Sequence, residues 1–194
     1  MLEAGHELFR VHSLERDGDE FNPGFGKPTR FAFFPDVRNE IVPVLYSADT
    51  ERAAISESLL HDTPLTGGQL QPSGYKNHRM SRLLTSRDLN LVALLGTGLR
   101  RLGVRASEVT DTDASEYEMT VRWAEAAHAA GFDGIAYMSR QCNSDQAYVF
   151  FGDRVTADDL EWDTDYEWAF GEAVEGRGKL ITFCNVLGVE VLVR

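Results

Sequence analysis

Ser115-Glu-Tyr-Glu-Met-Thr-Val-Arg-Trp-Ala-Glu-Ala-Ala-His-Ala-Ala-Gly131-Phe-Asp-Gly-Ile-Ala-Tyr-Met-Ser139-Arg140 carries both periods of a mixed fold in one stretch. Tyr117, Val121, Ala124 and His128 recur at helical spacing, Ser115 precedes Glu118 at the spacing of a capping box, and Gly131 supplies a stop. This spacing predicts a helix over 115–130. The apolar run 134–138 that follows is too short for a helix of a globular core and reads as a strand. Where it ends, Ser139 places a hydroxyl next to the guanidinium of Arg140, marking a candidate polar site at a strand end.

The same two periods recur along the chain. Strands are expected at 8–12, 42–46, 89–95, 134–138 and 147–151, with two more at 180–184 and 189–193. Helices are expected at 50–60, 76–85, 97–102, 115–130 and 163–174. The stretches 15–29, 63–74 and 110–114 are rich in Gly, Pro, Asp, Thr or Gln and read as loops. None is long enough for an interdomain linker, and 194 residues suffice for one well-buried domain. Strands and helices interleave without strict alternation. The expected fold class is therefore α+β, a single-domain mixed sheet with flanking helices spanning residues 1–194.

Bulk chemistry narrows the function. A net charge of −12 repels a nucleic-acid backbone, so no direct nucleic-acid partner is expected. The basic positions Lys76, His78, Arg79, Arg82 and Arg87 read as the solvated face of a short helix. No apolar run approaches the roughly 20 residues of a membrane span, and no secretory signal is visible, so no membrane partner is expected and the expected location is the cytoplasm. Two cysteines, Cys142 and Cys184, read as free thiols there. The histidines form no His-Glu-x-x-His pattern, and no metal is expected. Gly96-Thr-Gly98-Leu-Arg-Arg-Leu-Gly103 mimics a dinucleotide fingerprint, but its third glycine comes too late, and a strand-to-helix turn explains it.

Four residue types remain with chemistry to account for. Arg30 opens the aromatic run Phe31-Ala-Phe33-Phe34 and has the geometry to fork onto a diphosphate. Tyr46 closes a strand, where a ring can stack on a flat base. Glu57 stands among Ala53, Ala54, Ile55 and Leu59 on the flank of an apolar helix, facing either solvent or a pocket. Ser139 ends the strand described above.

In this order, with Phe9-Arg10-Val11-His12, Phe21-Asn22-Pro23, Thr29-Arg30-Phe31, Val42-Pro-Val-Leu-Tyr46, Asp133-Gly134-Ile135 and Phe151-Gly152-Asp153-Arg154, the chain resembles the RES-domain family over about residues 8–155. Residues 156–194 form a C-terminal extension of the same domain in this reading, packing on the core or building a homodimer surface. The resemblance implies an ADP-ribosyltransferase-like fold and consumption of NAD, with nicotinamide released and phosphate or water as acceptor. NAD is then substrate, inorganic phosphate a co-substrate, and no cofactor is needed. It also implies a toxin held by a helix-turn-helix (Xre-type) antitoxin. Arg30, Glu57 and Ser139 become the catalytic trio, Tyr46 an aromatic wall, and Arg10 and Arg140 further substrate contacts. Arg140 is the cation suggested for phosphate. The segment from Arg30 to Tyr46 is longer than in many members, which leaves Arg10 and Arg38 as alternatives to Arg30. Competing readings are ADP-ribosyl transfer onto a protein and a non-catalytic nucleotide-binding module.

Overall fold

In the computed structural model, which describes residues 1–61, 63, 64, 66–171 and 174–194, alternation and helical spacing resolve into nine strands and six helices among the described residues. In chain order they are β1 (Glu7–Ser13), β2 (Val44–Ala48), α1 (Glu51–Ser58), β3 (Gln69–Leu70), α2 (Pro72–Tyr75), β4 (His78–Thr85), β5 (Leu91–Leu94) and α3 (Gly96–Leu102). Then follow α4 (Ala106–Val109), α5 (Tyr117–Ala129), β6 (Gly134–Met138), β7 (Gln146–Phe151), β8 (Leu160–Ala169), α6 (Val174–Val186) and β9 (Glu190–Val191). Seven strands form one sheet in the order β5-β6-β7-β2-β1-β4-β8, parallel only between β5 and β6. β3 and β9 form a separate two-stranded parallel ribbon. This is a mixed α+β domain.

Strand alternation sends side chains to two cores. Val44 and Ala48 of β2, Ala147, Val149 and Phe151 of β7, and Ile135 and Tyr137 of β6 meet α1 and α5 on one face. Leu8, Leu45, Leu83, Tyr148 and Phe150 form the other. At Gly134 the backbone of β7 comes so close that an added Cβ would lie 2.2 Å from the Val149 carbonyl oxygen, so no larger residue fits there. The helix before it ends as expected: Gly131, at φ 91°, allows its own N–H and that of Phe132 to return to His128 and Ala127.

The sheet opens where the site lies. β1 and β2 are antiparallel neighbours, yet their paired register is confined to Phe9 and Ala48. Toward Ser13 and Val44 they separate, and Val11, Ser13, Val44 and Tyr46 become wall residues of a cavity.

The structure corrects several expectations. Residues 78–85 form β4 rather than a helix. Met80, Leu83 and Leu84 sit at i, i+3 and i+4, but Met80 and Leu83 point to opposite cores of a central strand, which hides its alternation. Arg79 and Arg82, read as a solvated helix face, instead pair with Glu167 and Asp163 of β8. That second strand replaces the helix expected at 163–174, of which positions 172 and 173 lie outside the described residues. Its acids at 161, 163, 165 and 167 alternate with Trp162, Thr164, Tyr166 and Trp168, a period-2 signal. The strand expected at 180–184 is part of α6. Gly176, Leu180 and Cys184 are buried at i, i+4 and i+8, and an added Cβ on Gly176 would lie 2.2 Å from the Ala169 carbonyl oxygen. The loop expected at 63–74 contains β3 and α2; its position 65 lies outside the described residues. Ser115 lies in a 3-10 turn (Ala114–Glu116), and the N-cap of α5 is Glu116, with no side-chain capping bond. The tail packs on the core, burying Leu160, Phe170, Leu180 and Cys184. Among the described residues no helix is long and apolar enough to cross a membrane.

One buried group makes stability depend on pH. His12 on β1 hydrogen-bonds Ser81 Oγ through Nε2 at 2.8 Å and the Ser13 carbonyl through Nδ1 at 3.0 Å. Burial, then the charge of Arg10, lowers its pKa from 6.5 to about 4. The unfolded chain therefore takes up this proton first, and stability is lost as pH falls from about 6.5 toward 4. Urea unfolding should show a loss on the order of 3 kcal/mol across that window from His12. His78, also lowered by burial, adds in the same direction. His12→Gln should flatten the profile, and an unchanged slope in that variant would remove His12 as its source.

Candidate active site

The cavity between the splayed strands has a volume of about 440 Å³. Its walls come from β1, β2, α1, the 28–33 turn and the ends of α5 and β6. Although the chain carries a net charge of −12, the described residues lining this cavity include Arg10, Arg16, Arg30 and Arg140 against one carboxylate, that of Glu57.

α1 begins at Thr50, whose hydroxyl accepts the Ala53 N–H, and buries Ala53, Ala54, Ile55 and Ser56. That packing turns Glu57 to the cavity, its side chain 14% exposed. Oε1 accepts Ser139 Oγ at 2.8 Å and the Arg140 backbone N–H at 2.9 Å. Oε2 accepts the Tyr137 hydroxyl at 3.1 Å and faces Arg30 Nη1 at 3.5 Å. A carboxylate with four donors converging on it is fixed in rotamer. Tyr137 stays protonated, since burial and then the Glu57 charge push its pKa well above 10.

Arg30 is held differently. Tyr46 Oη accepts the Phe31 N–H at 3.1 Å and shares a hydrogen bond with Thr29 Oγ1 at 2.9 Å, while the buried Thr120 hydroxyl donates to the Arg30 carbonyl. The turn is thus clamped on both sides of the arginine. Phe31 and Phe34, almost fully buried, anchor it. The guanidinium lies 5.9 Å from the rings of Tyr117 and Tyr137, and its polar contacts among the described residues are at 3.5 Å, to Glu57 Oε2 and the Thr112 carbonyl. Its Nε is buried and has no hydrogen-bond partner among the described residues. The backbone fixes this group and leaves donors available to a ligand. The Tyr46 hydroxyl does not ionise near neutrality, as burial raises its pKa to about 12.

The structure brings Arg30, Tyr46, Glu57 and Arg140 to one cavity, with Ser139 behind its wall on Glu57. Arg10 also lines it, but its guanidinium donates to the carbonyls of Gly18 at 2.6 Å and Glu20 at 2.8 Å and so ties down the 14–22 loop. Burial lowers its pKa to about 10. Arg38, the other alternative to Arg30, lies in an exposed turn on Asp36 and Glu40. Ser139 is fully buried and points at Glu57 rather than into open space. The Arg140 side chain pairs with Asp111 and Asp113.

Tyr137, Tyr117 and Thr120 are site residues that sequence reasoning passed over. The signal for Tyr137 was present: two positions before Ser139 on a strand, it shares that residue's face. Tyr117 and Thr120 carried no such signal, because their role depends on where α5 docks.

A family model described as RES domain matches residues 7–170. No curated protein matches the chain. Among solved structures, the chain is similar to one in the M. tuberculosis MbcT-MbcA toxin-antitoxin complex. Identity is 16%, the TM-score 0.59, and the match covers 87% of this chain and 85% of that one.

Proposed function

The chain belongs to the RES-domain family, and on that footing we propose that it cleaves the nicotinamide–ribose bond of NAD and serves as the toxin of a toxin–antitoxin pair. The observation that carries the reading is the half-buried Glu57 carboxylate, held by four donors beside an Arg30 whose own polar contacts are long. NAD is cationic at the nicotinamide ring, so the leaving group departs neutral and needs no general acid. The ribose carbon develops oxocarbenium character, and a fixed carboxylate beside it supplies complementary charge in a partly enclosed site. Ser139, Tyr137 and the Arg140 N–H keep Glu57 correctly turned. Arg30 would take the diphosphate, which lies about one ribose away from the reacting carbon, and the Tyr46 ring would flank nicotinamide. A 440 Å³ cavity lies within the roughly 300–1,000 Å³ of small-molecule sites.

Water or inorganic phosphate would be the acceptor, and the partner a helix-turn-helix antitoxin. The toxin role is supported by family membership and by the likeness to a chain of a toxin–antitoxin complex.

The test is incubation of the purified protein with NAD, with and without inorganic phosphate, followed by mass analysis. Nicotinamide together with ADP-ribose or its phosphorylated form is expected. NAD left intact after long incubation would overturn the reading in favour of a binding module.

A further inference from the structure

Three consecutive residues place one oxygen each on a single guanidinium. Arg140 Nε donates to Asp111 Oδ1 at 3.0 Å, Nη1 to the Thr112 carbonyl at 3.3 Å, and Nη2 to Asp113 Oδ1 at 2.9 Å. The Thr112 carbonyl is also the atom that Arg30 Nη2 meets at 3.5 Å. One strap, 111–113, therefore fills the space where the two arginines of the cavity converge. The backbone N–H of the same Arg140 holds Glu57.

A tetrahedral oxyanion offers a guanidinium the same arrangement, several oxygens at about 2.8–3.0 Å around a planar fork. The strap is suited to occupy such a place reversibly. Asp111 and Asp113 have side chains 61% and 76% exposed, against 23% for Arg140. Ion pairs of that exposure are individually weak and easily exchanged. Beneath them Thr112 is buried, and its Oγ1 has no hydrogen-bond partner.

We propose that Arg140 forms the site for an inorganic oxyanion acceptor, and that Asp111 and Asp113 occupy it in competition with that acceptor. The aspartates then set the preference between water and phosphate. With both in place, Arg140 faces two negative charges for its one positive charge, and phosphate must displace them. Water, being neutral, pays no such penalty. In either case the ribose–nitrogen bond breaks with its electron pair going to nicotinamide. The acceptor oxygen then supplies the pair for the new carbon–oxygen bond; water releases a proton to solvent in doing so, whereas phosphate attacks through an oxygen that carries none.

The acceptor part rests on the NAD-cleavage reading, so the test has an arm independent of it. Inorganic phosphate is titrated by calorimetry into the wild-type chain, into Asp111→Asn/Asp113→Asn, and into that variant carrying Arg140→Gln as well. The double variant should half-saturate at about tenfold lower phosphate, the effect of removing two exposed ion pairs. Arg140→Gln should abolish the gain. Equal affinity in wild type and double variant, or a gain that survives loss of Arg140, would overturn the proposal. Asp113→Asn alone, changing the more exposed carboxylate, gives a milder version should the double variant fold poorly. In the NAD assay at fixed phosphate, the ratio of phosphorylated to free ADP-ribose should rise by about the same tenfold factor. NAD left intact by every variant would defeat the NAD reading, while the phosphate titration would still decide the strap.

Discussion

Glu57→Gln is expected to lower the turnover of NAD cleavage by on the order of a thousandfold, the loss seen when a preorganised electrostatic group is removed from a developing charge. Ser139 Oγ, the Arg140 N–H, the Tyr137 hydroxyl and Arg30 Nη1 all point at this one carboxylate. Glutamine keeps the shape but offers one acceptor oxygen, and its amide would meet donors at the other position. It also loses the negative charge that the oxocarbenium-like ribose requires. Because the loss is specific to the transition state, KM should change little while kcat falls. Glu57→Ala is the less informative variant: it leaves the buried Arg30 without its carboxylate, so lost activity could reflect lost order. NAD cleavage within tenfold of wild type by folded Glu57→Gln would sink the assigned mechanism.

The chain states some of this openly. α1 and the end of β6 were legible because each has a strong local period, and the polar residues that interrupt those periods, Glu57 and Ser139, converge on one hydrogen bond of 2.8 Å. The β4–β8 pair was not legible for a physical reason. β4 lies between two other strands and has apolar side chains on both faces, so Met80, Leu83 and Leu84 imitate a helix. The 3-residue irregularity opposite Ser81 and Arg82 breaks the phase of β8 at Asp163 to Glu167. α6 was hidden by Ile181, Thr182 and Phe183, residues that favour strands, and by two glycines that disfavour helices. Close packing of Gly176 on Ala169 outweighs both preferences. The second half of the site was harder still. That Thr120 and Tyr46 grip one turn from opposite sides is a fact of docking between elements far apart in sequence. No local pattern encodes it.

That grip decides which arginine matters. Arg30→Ala is expected to weaken NAD binding by about 1–3 kcal/mol, roughly 5- to 150-fold, the cost of losing a charge-assisted contact. Arg30→Lys should recover only part of this. A lysine restores the charge, but it lacks the planar fork and the Nε that stands buried without a partner. Arg38→Ala should leave binding unchanged, because that side chain is 67% exposed and engaged by Asp36 and Glu40. Arg10→Ala should act through the fold instead: its guanidinium holds two carbonyls of the 14–22 loop, and removing it leaves them unsatisfied beside the cavity. The three variants therefore separate on two axes, NAD affinity by calorimetry and unfolding midpoint in urea. Arg30→Ala moves the first far more than the second, Arg10→Ala moves the second, and Arg38→Ala neither. If Arg38→Ala carried the affinity loss, the turn clamped by Tyr46 and Thr120 would be scaffolding rather than part of the site, and Glu57 would have to work with a cation from outside its own cavity.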